Sequence, residues 1–264
     1  MLIVGERINA SRSSIADALK CRDREFLQRE AKAQDMAGAD YIDLNAAIFG
    51  TEEVEYLKWL IDSVQAVTDK PLCIDSPNAA AIKSVMADIA TKPMINSITL
   101  EPSRLERMLT LAAEYDTKVI ALCQSDTLIA KTVDEKIDIA GKLVEKVSEA
   151  GIPLEDLYID PLVFPLSADE KSSLATLEAI KGIMRSYAGV HTICGVSNVS
   201  YGLPNRKLVN RSFLIAGIAY GLDSVIVDPL NKELYAALKT AVMVAGKDDY
   251  CMEYITAFRE GLLC

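Results

Sequence analysis

Eight short runs of β-forming residues, separated by segments of helical periodicity, constrain this chain more than any other feature. The runs are Leu2–Gly5, Tyr41–Leu44, Pro71–Ile74, Met94–Asn96, Lys118–Leu122, Leu157–Ile159, His191–Val196 and Ser224–Val227. Between them apolar residues return every three or four positions, as in Val54, Leu57, Ile61 and Val64, or Ile137, Ala140, Val144 and Val147. That spacing is the stripe of an amphipathic helix. Gly38, Gly151 and Gly221 each follow a helical pattern just ahead of a strand, where a left-handed residue is wanted. Thr132 with Glu135 forms a capping box at a helix start. Strands this apolar, joined through helices, pair in parallel by right-handed crossovers and have both faces covered. Eight such units in 264 residues predict an α/β fold of the (β/α)8 TIM-barrel type. No linker, low-complexity stretch or shift in composition divides the chain, so residues 1–264 read as a single domain.

Charge and motif content exclude several functions. With 28 Lys+Arg against 38 Asp+Glu the net charge is −10, which leaves no basic surface for a nucleic acid. The amino-terminal MLIVGERINA is too short in its apolar run for a signal peptide or a membrane span, and a cytoplasmic location is expected. The six cysteines, at 21, 73, 123, 194, 251 and 264, form no CxxC pair and read as reduced thiols. No GxGxxG or GxxxxGK[ST] occurs, so nucleotide cradles are not supported. Trp59 and Met36, Met86, Met94, Met108 and Met184 fall on apolar positions and are expected to pack in the core. The segment from Tyr250 to Phe258 reads as an amphipathic carboxy-terminal helix, placed either to close the barrel or to contact a second subunit.

In a barrel of this class the active site lies at the carboxy-terminal ends of the strands. Those ends carry Glu6, Asp43 and Asn45, Asp75, Asn96, Gln124, Asp160, Asn198 and Asp228, a ring of carboxylates and amides. The single histidine, His191, opens a strand at the opposite end, so the zinc chemistry that needs convergent His and Cys ligands is not expected and no metal site is assigned. No lysine occupies a strand end, which removes a Schiff base, and NVSYGLPNR and DPLNKEL after the last two strands are not a Gly-rich phosphate cup. Aromatic residues, at 6 %, are too few for sugar stacking to recommend a glycosidase pair. The ring suits a neutral, flat heterocycle rich in N–H donors, and a reduced pterin is such a ligand.

The blocks LIVGERIN, YIDLNAA, CIDS, MINS, LYIDPL, GVSNVSYGLPNR and LVNRSFL, in this order and across the whole chain, resemble the methyltetrahydrofolate:corrinoid protein methyltransferases. That family includes the folate module of cobalamin-dependent methionine synthase. The resemblance implies a pterin-binding barrel related to dihydropteroate synthase, with Asp75, Asn96 and Asp160 gripping the pterin. It places Asn198 beside N5, the nitrogen that carries the methyl group, and Asp43 and Ser197 in the surrounding hydrogen-bond network. Asn198 is then the catalytic group, through a hydrogen bond that strengthens as N5 gains positive charge. Tyr201-Gly202, just after it, is nearer to the methionine synthase module than to the acetogenic enzymes. The resemblance also implies a homodimer and tetrahydrofolate or its 5-methyl form as substrate. No DxHxxG cobalamin signature is present, so the corrinoid is expected on a separate protein. A dihydropteroate synthase-like condensing enzyme and a non-catalytic folate-binding protein share the pterin grip and stand as alternatives. The first needs basic residues for a pyrophosphate, and only Arg206 and Arg211 lie near the late strand ends.

Overall fold

The computed structural model describes residues 1–263. Eight parallel strands close into a barrel in sequence order: β1 (Leu2–Asn9), β2 (Tyr41–Asn45), β3 (Leu72–Asp75), β4 (Met94–Ile98), β5 (Lys118–Leu122), β6 (Leu157–Asp160), β7 (His191–Gly195) and β8 (Ser224–Val227). β1 pairs with both β2 and β8, which completes the ring. The crossovers are α1 (Ser13–Cys21) with α2 (Arg24–Met36), then α3 (Glu53–Gln65), α4 (Ala79–Met86), α5 (Pro102–Glu114), α6 (Val133–Glu149), α7 (Ser172–Ser186) and α8 (Arg206–Tyr220). After β8 follow α9 (Lys232–Val244) and α10 (Met252–Arg259), and α10 packs against α9. The eightfold reading of the sequence is therefore the observed fold.

Local signals act as expected. Gly38, Gly151 and Gly221 have φ of +87°, +75° and +118°. Thr132 and Glu135 form the reciprocal capping box of α6. Leu57, Ile61 and Val64 of α3 are buried. Met86, Met94 and Met108 lie in the core, but Met36, the last residue of α2, is 83 % exposed.

Strand alternation divides the apolar residues between two spaces. Outward positions such as Ile42, Leu44, Ile74 and Ile95 pack against the helices. Inward positions Val4, Tyr41, Cys73, Met94, Ile120, Tyr158 and Ile193 meet one another and fill the lower barrel. The next inward residue along each of four strands is then Asp43, Asp75, Asn96 and Asp160, so the polar ring sits on an apolar plug.

β1 departs from the expected pattern in a way that matters for this ring. It runs to Asn9, beyond the Gly5 limit read from the sequence, and its register against β2 shifts between Gly5 and Ile8. Glu6 and Arg7 together oppose the single residue Asp43, the geometry of a β-bulge. The bulge frees the Arg7 N–H from the ladder, and it donates instead to Gln34 Oε1 of α2 at 3.1 Å. Gly5 makes the approach possible: a Cβ there would stand 2.4 Å from that same oxygen. Gly5→Ala is expected to displace buried Gln34, strand the Arg7 N–H and cost about 1–3 kcal/mol, read as a lower midpoint in urea unfolding with little change in slope.

Candidate active site at the mouth of the barrel

The inward positions just above the apolar plug bring Asp43 and Asn96, midway along β2 and β4, and Asp75 and Asp160, which end β3 and β6, to the mouth of the barrel. Asp75 Oδ2 accepts from Asn45 Nδ2 at 2.8 Å, and Asn45 Oδ1 in turn accepts from the Ala47 N–H at 3.0 Å. Burial raises the Asp75 carboxyl above the usual range; the Asn45 bond and the charge of Arg104 oppose this, while Glu53 adds to it. Asp43 is 2 % exposed, with Oδ1 buried and without a hydrogen-bond partner. Burial first, then the charge of Asp75, holds it well above the ordinary carboxylate range, although Cys73 and Asn96 lie against it.

Asp160 is 8 % exposed and its pKa is pushed up from the usual 3.8 to about 6 by burial, against the pull of the Leu162 N–H and the Lys136 charge. Its Oδ1 accepts from the Leu162 N–H at 2.7 Å, a turn in which Leu162 adopts φ of +62°. Lys136 of α6, fully buried, holds that turn from beneath, donating through Nζ to the carbonyl oxygens of Pro161 and Leu162. Burial lowers the Lys136 pKa.

The opposite side of the mouth is built by the segment after β7. Asn198 is exposed, and its Nδ2 stands 3.2 Å from where a Gly195 Cβ would be, so the glycine lets the amide lie over the strand end. The Ser197 carbonyl accepts from Arg206 Nη2 at 2.9 Å, and Arg206 Nε donates to Ser200 Oγ at 3.0 Å. The Asn198 side chain forms no hydrogen bond among the described residues. Tyr201, 67 % exposed, stands on the rim with Arg206 over its ring.

The remaining members of the predicted ring differ in role. Asp228 accepts from Arg7 Nη1 at 2.9 Å and from the Leu230 N–H at 3.0 Å, so it is occupied by structural partners. Glu6 lies inside β1 at the bulge and not at its end. His191 is at the base, bonded through Nδ1 to Asp223 at 2.6 Å and stacked on Tyr158. Cys73, Cys123 and Cys194 are buried free thiols, while Cys264 lies outside the described residues. Among the described residues no group of three or more His, Cys, Asp or Glu is placed to hold a metal.

Lys136 escaped the sequence reading. The helical stripe drawn through Ile137, Ala140, Val144 and Val147 is rotated from the observed one, in which Lys136, Ile139, Ala140, Leu143 and Val147 are buried. A lysine three and four residues before Ile139 and Ala140 was the available signal.

Residues 5–228 match the pterin binding enzyme family, and the chain belongs to it. It is 33 % identical over 263 residues, covering 99 % of this chain and 97 % of the relative, to the methylcorrinoid:tetrahydrofolate methyltransferase of Eubacterium limosum. A methionine synthase of Mycobacterium leprae is 30 % identical over 88 % of this chain, which spans 21 % of that longer protein. Among solved structures, a dihydropteroate synthase of Clostridium difficile superposes with a TM-score of 0.73 at 21 % identity, over 92 % of this chain and 96 % of that one. One from Coxiella burnetii gives 0.70 at 19 %, over 92 % and 93 %. These structural likenesses show the barrel alone.

The raised carboxyls are a cost the fold carries at neutral pH. For Asp160 the folded pKa lies above the unfolded one, so its contribution to stability is fully present below about pH 4 and is lost as pH rises through about 6. Asp160→Asn is therefore expected to be more stable than wild type at about pH 7, by up to about 3 kcal/mol, with the gain vanishing near about pH 4. Thermal melts across that range check the sign, and the same variant is expected to lose pterin affinity.

Proposed function

We propose that this chain moves a methyl group between N5 of tetrahydrofolate and the cobalt of a corrinoid carried by a separate protein. The observation that carries the reading is the set of buried, raised carboxyls Asp43, Asp75 and Asp160, with Asp43 Oδ1 lacking any hydrogen-bond partner, in a chain that matches a methylcorrinoid:tetrahydrofolate methyltransferase over 99 % of its length.

Asp160 is suited to accept the exocyclic amine and adjacent N–H of the pyrimidine edge, because each bond formed to its buried carboxylate replaces solvation the fold has removed. Asn96 and Asp75 meet the opposite nitrogens, with Asn45 fixing Asp75. Asp43 and Ser197 complete the surrounding network. Asn198 cannot donate a proton as an acid at neutral pH, but it can hold N5 through a hydrogen bond that strengthens as the nitrogen becomes positive. The corrinoid is a bulky co-substrate, and the exposed rim at Asn198 and Tyr201 leaves N5 accessible from the open side of the barrel. The same arrangement serves both directions of transfer.

A pyrophosphate-expelling condensation is less well supported by this mouth. Arg206 is spent on Ser197 and Ser200, and Arg211 pairs with Glu233 at 3.1 Å. A purely folate-binding role leaves Asn198 without a purpose.

The test is single-turnover methyl transfer from methyltetrahydrofolate to cob(I)alamin, followed by loss of the cob(I)alamin absorbance, alongside calorimetric binding. Wild type is expected to bind and transfer, and Asp75, Asn96 and Asp160 variants to lose binding. Asn198→Ala should slow transfer about a hundredfold, with far less change in affinity. Wild-type binding without transfer to any corrinoid would overturn the reading.

A further inference from the structure

The roles assigned above leave one cavity-facing acid unused. Glu6 follows Leu2 and Val4 on the inward face of β1, and the bulge sets it beside Arg7 across from Asp43. No hydrogen bond to its carboxyl is formed among the described residues, although the neighbouring Asp228 is tied to Arg7 and the Leu230 N–H. A carboxyl held in the barrel without a partner has a structural cost and no structural use.

Its surroundings connect it to the part of the mouth where N5 is placed. Four charged groups act on it electrostatically: Asp228 after β8, Asp43 on β2, Arg12 after β1 and Arg206 on α8. Arg206 is the same side chain that holds the Ser197 carbonyl and Ser200, the residues bracketing Asn198. The charge of the guanidinium that holds the Asn198 segment is therefore felt at Glu6. Burial, aided by Asp228, raises the Glu6 pKa to about 7, while Arg12 and Arg206 oppose the rise. An acid near the working pH is present in both protonation states, as a reversible proton donor must be.

We propose that Glu6 supplies the proton that N5 must gain when it loses its methyl group, and takes it back in the reverse direction; this rests on the methyl-transfer reading above. In the forward step the cobalt(I) electron pair forms the Co–C bond. The N5–C bond breaks with its pair remaining on nitrogen, and the Glu6 carboxyl proton passes to that nitrogen no later than this. The products are tetrahydrofolate with N5–H, methylcobalt(III) and a Glu6 carboxylate, which water reprotonates. In reverse, the Glu6 carboxylate removes the N5 proton as N5 attacks the methyl group, and the Co–C pair returns to cobalt. Asn198 orients and stabilises N5; Glu6 carries the proton that an amide cannot.

The test is the pH profile of single-turnover transfer to cob(I)alamin between about pH 5.5 and about pH 8.5, for wild type, Glu6→Gln and Glu6→Asp, with calorimetric methyltetrahydrofolate binding in parallel. Wild type is expected to slow as pH rises through about 7, where Glu6 ionises. Glu6→Gln should be about a hundredfold slower on the acid side and lack that inflection, with affinity within about twofold of wild type. Glu6→Asp should keep an inflection. A Glu6→Gln enzyme with wild-type rate, or one that retains the inflection, overturns the proposal and leaves the titration to another carboxyl of the mouth, such as Asp160. Equal losses of affinity and rate would make Glu6 a binding group and also overturn it. If wild type transfers no methyl group at all, the methyl-transfer reading fails first, and that outcome is distinct from an active wild type with an indifferent Glu6 variant.

Discussion

Closing the sheet turns every second residue of each strand into a space sealed from below by Val4, Tyr41, Cys73, Met94, Ile120, Tyr158 and Ile193. Any polar residue at the next inward position must then be paired, be held neutral or await a ligand. The two ends of the barrel answer this constraint differently. At the base, Asp156 accepts from Lys92 at 2.8 Å and Lys118 at 3.0 Å, which holds its carboxyl below the usual range, and Asp223 is bonded to His191 and the Thr192 N–H. At the mouth, Glu6, Asp43, Asp75 and Asp160 are all raised. The same residue type is thus treated in opposite ways: acids at the base are paired with cations, and acids at the mouth are buried with raised proton affinity.

The mouth is held in that state by groups outside it. Lys136 supports the turn that aims Asp160, and its cation is buried against two backbone carbonyls. Arg104 donates to the carbonyls of Ser76 and Ser97, joining the segments that follow Asp75 and Asn96. Gln34 satisfies the N–H released by the bulge at Glu6 and Arg7. Each support comes from a helix of the outer ring, so the packing of helix on barrel is also what orients the acceptors. Such supporting contacts fix the geometry that preorganised recognition depends on.

The late-strand arginines are committed to Ser197, Ser200 and Glu233, which leaves the mouth acidic and amide-rich. The Asn198 amide lies close over Gly195, where a side chain on that residue would crowd it.

The sequence by itself determined the barrel, its strand order and the identity of most of the ring, because period-two and period-3.6 patterns, capping residues and left-handed glycines are local signals that survive without tertiary information. It read Asp75, Asn96, Asp160 and Asn198 as strand-end residues; Asp75 and Asp160 do end their strands, whereas Asn96 lies inside β4 and Asn198 in the short helical segment after β7. Tertiary structure alone decided which acids are spent and which are free. Asp228 and Glu6 stand in equivalent places in the sequence reading, yet Arg7 occupies one and leaves the other unpaired. The bulge that separates them depends on Gly5 and Gln34, 29 residues apart in sequence and in contact only after α2 packs on β1. Burial, pairing and the resulting proton affinities are properties of neighbours brought together by folding, and no local pattern encodes them.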